Sequence, residues 1–152
     1  MDTIALIDDF VKAAALAGAR LHSNDIKAEV LPAPHMAPKS LTPGLMAVYV
    51  FTKGSIVLKV GKVGPNSNAR YTSQHYNASS APSTLAATLI KSGSQIGALE
   101  LTIDSAGHWI KTNTTRVNFT LSASHGVAVL SFLEAFLQCR LKPIFEGFAS
   151  QK

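Results

Sequence analysis

Two short β-rich runs, separated by four residues, constrain the fold of this chain most strongly. They are LMAVYVF (45–51) and IVLKVGKV (56–63), and the segment between them contains a glycine. A glycine readily adopts the backbone conformation of a tight reversal, so the runs predict a β-hairpin. Side chains alternate between the two faces of a strand, so Lys59 and Gly61 lie on the same face of the second run. In the first run, Tyr49 lies on the face opposite to that of Val48 and Val50. The hairpin is therefore expected to carry a polar pair on one face.

Helical patterns and one further strand surround this hairpin. Apolar residues at steps of three and four indicate helices, and β-branched runs indicate strands. The predicted segments are an amphipathic helix (Thr3–Leu21), an extended connector with four prolines (Val30–Gly44), helices over Ala69–Tyr76 and Pro82–Ser92, a possible strand (Gly97–Ile103), a loop or short helix (Trp109–Thr115), a strand (Val117–Leu121) and a long helix (Ser124–Leu141). These segments predict an α/β (α+β) fold, with a small, mostly antiparallel three-stranded sheet flanked by helices.

The size of the chain indicates one domain. At 152 residues with 47% hydrophobic side chains, it can bury a core without disulfides or a structural metal. We expect a single domain over residues 1–152, with an N-terminal helix and connector (1–44) followed by the core of the domain (45–148). The lone cysteine, Cys139, excludes an intramolecular disulfide and a multi-cysteine zinc site, which favours a cytoplasmic location.

Membrane insertion and secretion are not expected. The longest uncharged apolar stretch, Gly126–Leu133, has eight residues, whereas a membrane-spanning helix needs roughly 20. The first twenty residues carry three aspartates where a secretory signal would have basic residues.

The charge of the chain is unevenly distributed. The formal net charge is +5, and the segment from Val30 to Leu99 contains six basic residues but no aspartate or glutamate. If the fold gathers these residues on one surface, that surface would attract a polyanion such as nucleic acid. The alternative is a solvated basic face with no partner.

The last predicted helix contains a single carboxylate, Glu134. Apolar residues cover most of that helix and leave only Ser131, Glu134 and Gln138 as a narrow polar stripe. No lysine or arginine lies three or four residues away to neutralise the carboxylate. Glu134 therefore needs a partner from elsewhere, which is either a cation in a structural ion pair or a divalent metal.

Together these features resemble the GIY-YIG nuclease superfamily. The sequences AVY (47–49) and KVG (59–61) resemble its paired GIY and YIG elements, and its helical arginine matches Arg70. Its catalytic glutamate, on a helix that ends in Lys-Pro, matches Glu134. Lys59 replaces the second tyrosine, as in restriction-type members. The family usually has a His or Tyr one helical turn after the arginine, where this chain has Gln74, followed directly by His75 and Tyr76. The asparagine that the family commonly has after Lys-Pro corresponds to Glu146.

The resemblance implies a metal-dependent DNA endonuclease, for which restriction, mobile-element and repair roles stay open. Tyr49 would accept the proton of the attacking water, and the ammonium of Lys59 would favour the phenolate. Arg70 would hold the phosphate, and Glu134 would bind Mg²⁺ or Mn²⁺. The implied catalytic residues are Tyr49, Lys59, Arg70, His75, Tyr76 and Glu134, with either His75 or Tyr76 in the remaining phosphate or water contact.

Contacts outside the catalytic residues are expected from the basic block and from the segment before the last strand. Candidate nucleic-acid contacts are Lys53, Lys62, Asn68 and Arg116, while Trp109 and Asn113 reach bases or simply pack. A homodimer is possible, because one site cuts one strand and two-fold symmetry supplies the second.

Two rival functions stay open at this point. One is a nucleic-acid-binding module that keeps the fold without cleavage, and the other is an RNA nuclease. The position of Glu134 distinguishes a nuclease from a binding module. If Glu134 lies beside Tyr49 in an open cleft, cleavage is favoured. If Glu134 forms an ion pair with Arg140 or Arg116, binding without cleavage is favoured.

Overall fold

The computed structural model describes residues 1–81 and 83–145 of the chain. Pro82 and the segment 146–152, which includes Glu146 and the end of the expected core, lie outside the described residues. The elements are α1 (Thr3–Leu16), β1 (Ile26–Leu31), β2 (Leu45–Lys53), β3 (Ile56–Val63), α2 (Asn68–Thr72), α3 (Leu85–Ser92), α4 (Ile103–Asn113), β4 (Thr115–Ser122) and α5 (Val127–Leu141). Single 3-10 turns cover Ser23–Asp25, Gln74–Tyr76, Gly93–Ile96 and Ala123–His125.

The strands form one antiparallel sheet in the order β1-β4-β2-β3. The predicted α+β class and antiparallel sheet are confirmed, but the strand count of three is wrong, because β1 adds a fourth strand. β1 reads IKAEVL, and Lys27 to Val30 are all exposed. Apolar and polar residues alternate along it, but the run is only six residues long and most of it is not buried, so the strand depends on pairing with β4.

The predicted hairpin is confirmed, and it places its polar residues together. Tyr49 pairs across the two strands with Gly61, and Phe51 pairs with Lys59. Residues paired across antiparallel strands project to the same side of the sheet. The register shifts between Phe51 and Thr52, where an irregularity interrupts the ladder just before the turn.

Several helix boundaries differ from the predictions. The first helix ends at Leu16 rather than Leu21, since Gly18 adopts a φ of 82°. The helix expected over 69–76 is split into α2 and a 3-10 turn, and the last helix begins at Val127, after Gly126 with a φ of 85°. The strand expected over 97–103 is wrong, because Thr102 caps α4 there.

The two faces of the sheet pack against different helices. The face that carries Met46, Val48 and Val50, here the apolar face, joins α1 and α5 in one hydrophobic cluster. The face that carries Tyr49 and Phe51, here the polar face, packs against α3 and α4. No helix within residues 1–81 and 83–145 is long and apolar enough to span a membrane.

Candidate functional site

Tyr49 occupies the centre of the polar face and lies across Gly61 on the outer strand β3. The side chain is fully buried. A Cβ on Gly61 would overlap the Tyr49 hydroxyl and would lie 2.6 Å from Cζ. The glycine of the KVG sequence therefore leaves room for the tyrosine ring, which directs the hydroxyl across β3.

His75 packs directly on Tyr49, with ring centroids 4.5 Å apart. It is 2% exposed, and its Nδ1 accepts a hydrogen bond of 3.3 Å from the N–H of Leu85, the first residue of α3. Burial, with Lys59, Arg116 and Arg70 adding repulsion, lowers the pKa of His75 to about 3. The ring is therefore neutral, and Nδ1 as acceptor leaves the proton on Nε2. Nε2 is buried and has no hydrogen-bond partner among the described residues.

Lys59 and Arg70 add positive charge beside this aromatic pair. Lys59 is half-buried on the polar face, opposite Phe51, and Arg70 is exposed on α2. Both charges depress the pKa of His75, which shows that both lie near its ring. The structure thus brings together four of the residues that the sequence indicates, namely Tyr49, Lys59, Arg70 and His75.

Arg116 is the largest fully buried side chain of the described residues. Its guanidinium lies 5.5 Å from the Tyr49 ring, 5.3 Å from Phe51 and 5.1 Å from Tyr71. Nε donates to Asn118 Oδ1 at 2.8 Å, while NH2 has no hydrogen-bond partner among the described residues. Sequence reasoning places Arg116 among nucleic-acid contacts, but this buried position gives it an internal role behind Tyr49.

Tyr76 joins a second histidine, His35. Arg116 NH1 donates to the Tyr76 hydroxyl at 3.3 Å, and that hydroxyl lies 2.9 Å from His35 Nε2. His35 Nδ1 lies 2.8 Å from the carbonyl of Thr114, so Nδ1 carries the proton and Nε2 accepts from Tyr76. Burial raises the pKa of Tyr76 and lowers the pKa of His35. Of the two alternatives, His75 is thus the one that contacts Tyr49.

Sequence reasoning misses His35, Asn118 and Glu29, which complete this network. Asn118 Nδ2 donates to Glu29 Oε2 at 3.2 Å, so hydrogen bonds run from Thr114 through Arg116 to a carboxylate on β1. Asn118 pairs with Tyr49 and Glu29 pairs with Asn118 in the sheet register. Only the strand register could reveal this alignment, although the alternation in IKAEVL (26–31) is a sequence signal that could have identified β1 as a strand.

Glu134 approaches the same outer strand from the opposite face. Its Oε2 lies 2.7 Å from Nζ of Lys62, and the side chains are 19% and 37% exposed. Lys62 pairs with Val48 of the apolar face, and α5 packs on that face through Leu130 and Leu133. Glu134 therefore does not lie on the polar face with Tyr49. Both side chains instead reach the segment 59–62 of β3, one from each side.

The other expected nucleic-acid contacts have partners within the protein. Lys53 donates to the carbonyl of Ile96 at 2.7 Å and lies 5.8 Å from the Trp109 ring centroid. Asn68 accepts from the N–H of Leu41 at 2.9 Å and so fastens the connector to α2. Asn113 donates to the carbonyl of Trp109 at 3.0 Å, which makes it a helix-end contact.

Glu134 is the carboxylate that the resemblance assigns to a divalent metal. No group of three or more His, Cys, Asp or Glu side chains gathers in a metal-binding arrangement within the described residues. Glu134 already attracts a cation, the Lys62 ammonium, and both groups reach solvent. A hard oxygen ligand of this kind fits Mg²⁺ or Mn²⁺ when water and phosphate oxygens fill the other positions. We therefore expect weak binding of the metal by the protein alone.

Comparison of the chain with protein-family models, with curated proteins and with solved structures finds no match.

Proposed function

We propose that this protein is a divalent-metal-dependent endonuclease that hydrolyses DNA phosphodiester bonds at the outer edge of β3. The observation that carries the proposal is the packing of Tyr49 across Gly61, with Lys59, Arg70 and His75 around it. The order of elements also supports it, since hairpin, helix with Arg70, strand and helix with Glu134 follow one another as in the family that the sequence resembles.

Each side chain has the role that the resemblance assigns to it. Tyr49 would orient the attacking water or accept its proton, with the Lys59 ammonium favouring the phenolate, and this role requires the fully buried hydroxyl to become exposed at the β3 edge when DNA binds. Exposed Arg70 would bind a phosphate oxygen pair through its fork of donors. His75 would hold the Tyr49 ring through packing, and its neutral state at working pH excludes a role as a charged phosphate ligand.

Glu134 would hold the metal in place of Lys62. A bound Mg²⁺ or Mn²⁺ would neutralise charge that develops on the phosphate and the leaving oxygen. Release of the Lys62 ammonium from Glu134 would then leave that cation available to the DNA backbone. The pair is partly exposed to solvent, so its exchange for metal and phosphate costs little.

Cleavage of supercoiled plasmid DNA tests the proposal directly. Wild-type protein should cut in Mg²⁺ or Mn²⁺ and not in EDTA. Tyr49→Phe and Glu134→Gln should each lower the rate by at least about 100-fold. Asp104→Asn, which removes an exposed carboxylate on α4, is the matched control and should cut at the wild-type rate. Cutting that persists in Glu134→Gln would contradict the metal-ligand role.

A binding module without cleavage is the second candidate, and the Lys62–Glu134 pair favours it. That pair neutralises the proposed metal ligand, Glu134, with a lysine from the neighbouring strand. If wild type binds DNA with a steep salt dependence but cuts neither DNA nor RNA with either metal, binding replaces cleavage as the function. Cutting of RNA alone would identify the protein as an RNA nuclease.

A further inference from the structure

The strand β1 forms the edge of the sheet opposite β3, and its outer side is uncovered. Lys27 to Val30 are exposed, with Val30 at 50%. Within residues 1–81 and 83–145, no main-chain hydrogen bond joins this outer side to another segment, apart from the N–H of Ile26, which donates to Ser23. An open strand edge is a template for pairing with another strand.

The orientation of the β1 backbone determines which residues can pair. The carbonyl of Lys27 accepts from the Thr120 hydroxyl of β4, so the main-chain groups of Lys27 point toward β4. Main-chain groups alternate in direction along a strand, and those of Ala28 and Val30 therefore point outward. Ala28 lies near the centre of the exposed stretch and offers both a donor and an acceptor.

The charges of β1 are arranged so that the strand complements itself. Lys27 and Glu29 flank Ala28 and project to the same face, because they pair with Thr120 and Asn118 of β4. If two copies pair antiparallel about Ala28, each Lys27 lies opposite the Glu29 of the other copy. On the other face, Val30 lies opposite Ile26, which matches apolar with apolar.

We propose that β1 pairs with β1 of a second copy of this chain, in an antiparallel arrangement with its two-fold axis at Ala28. The result is a homodimer with one continuous eight-stranded sheet. The axis is perpendicular to the sheet, so both polar faces lie on the same side. The two β3 edges then lie about 34 Å apart, at seven strand spacings of about 4.8 Å. The pairing does not depend on whether the protein cleaves DNA.

Charge reversal tests the pairing in solution. By sedimentation equilibrium up to about 100 µM, wild type should dimerise. In a Lys27→Glu dimer, each new glutamate lies opposite Glu29 of the other copy, so two pairs of like charges form. This variant should raise the dissociation constant at least about tenfold. Glu29→Lys should do the same. An equimolar mixture of the two single variants restores both attractive pairs, so it should form heterodimers more readily than either variant self-associates. Lys111→Glu reverses an exposed charge elsewhere and should leave dimerisation unchanged.

A second variant covers the case in which Glu29→Lys disturbs the contact of Glu29 with Asn118. Ala28→Pro removes the outward N–H without removing a bond to β4, and it should leave a folded monomer. Wild type that remains monomeric at about 100 µM would overturn the proposal. A wild-type dimer that neither Lys27→Glu nor Ala28→Pro weakens would overturn it too, because the contact would then lie on another surface.

Discussion

The two faces of the sheet stabilise the fold by different means. The apolar face buries aliphatic and aromatic side chains under α1 and α5. The polar face buries an arginine, an asparagine and two histidines among tyrosine rings. In an apolar cluster, one side chain can be replaced by another of similar volume at small cost. In a buried hydrogen-bond network, removal of one group leaves each of its partners without a hydrogen bond. The difference indicates that the apolar face tolerates repacking, whereas hydrogen bonds hold the polar side chains of the other face in a fixed arrangement.

The largest expected effect comes from replacing Arg116 on the polar face. Arg116→Met keeps much of the volume but leaves Asn118 Oδ1 and the Tyr76 hydroxyl without their donor. We expect a loss of about 3 kcal/mol in the free energy of unfolding, measured by urea denaturation. Leu133→Met on the apolar face is the matched replacement and should cost less than about 1.5 kcal/mol. Equal costs at the two positions would remove the distinction between the faces.

Gly61→Ala tests the contact on which the candidate site depends. The new Cβ would overlap the Tyr49 side chain in a fully buried position, so ring and strand must separate. We expect a loss of about 2 kcal/mol in the free energy of unfolding. Gly64→Ala is the control, since nothing lies within 4 Å of its Cβ position. If the Gly61 variant keeps wild-type stability, Tyr49 does not depend on that glycine for its position.

Acid sensitivity should distinguish the polar face as well. The pKa of His75 falls to about 3 in the folded protein, while in the unfolded chain it lies near about 6.5. Between these values only the unfolded chain takes up the proton, so stability falls as the pH drops below about 6.5, by about 1.4 kcal/mol per pH unit. Above that pH the group has no further effect. His35, whose pKa is also lowered, adds in the same direction.

Urea denaturation at several pH values between about 4 and 7 measures this slope. His75→Gln keeps an acceptor for the Leu85 N–H. It should reduce the slope of stability against pH by the contribution of one titrating proton. A slope that does not respond to His75→Gln would contradict a neutral, buried ring at this position.

Sequence reasoning succeeds where the pattern is local and fails where the partners are distant. The hairpin, its polar pair and the helix of Glu134 follow from alternation and periodicity alone, and the structure contains all three. β1 is missed because its alternating run is only six residues long and continues directly into the connector with four prolines, and the strand depends on pairing with β4, about ninety residues later. The roles of Arg116 and Lys62 could not be predicted either, since each depends on a partner that only the folded sheet brings near.

The smallest expected effect comes from the ion pair on the far side of β3. Lys62 and Glu134 are 37% and 19% exposed, so water screens their attraction. A double-mutant cycle with Lys62→Met and Glu134→Gln should give a coupling below about 1 kcal/mol. A weak coupling is what the proposed metal role requires, because the carboxylate must exchange an ammonium for Mg²⁺ without loss of fold. A coupling above about 2 kcal/mol would instead identify the pair as a structural contact and remove Glu134 as a metal ligand.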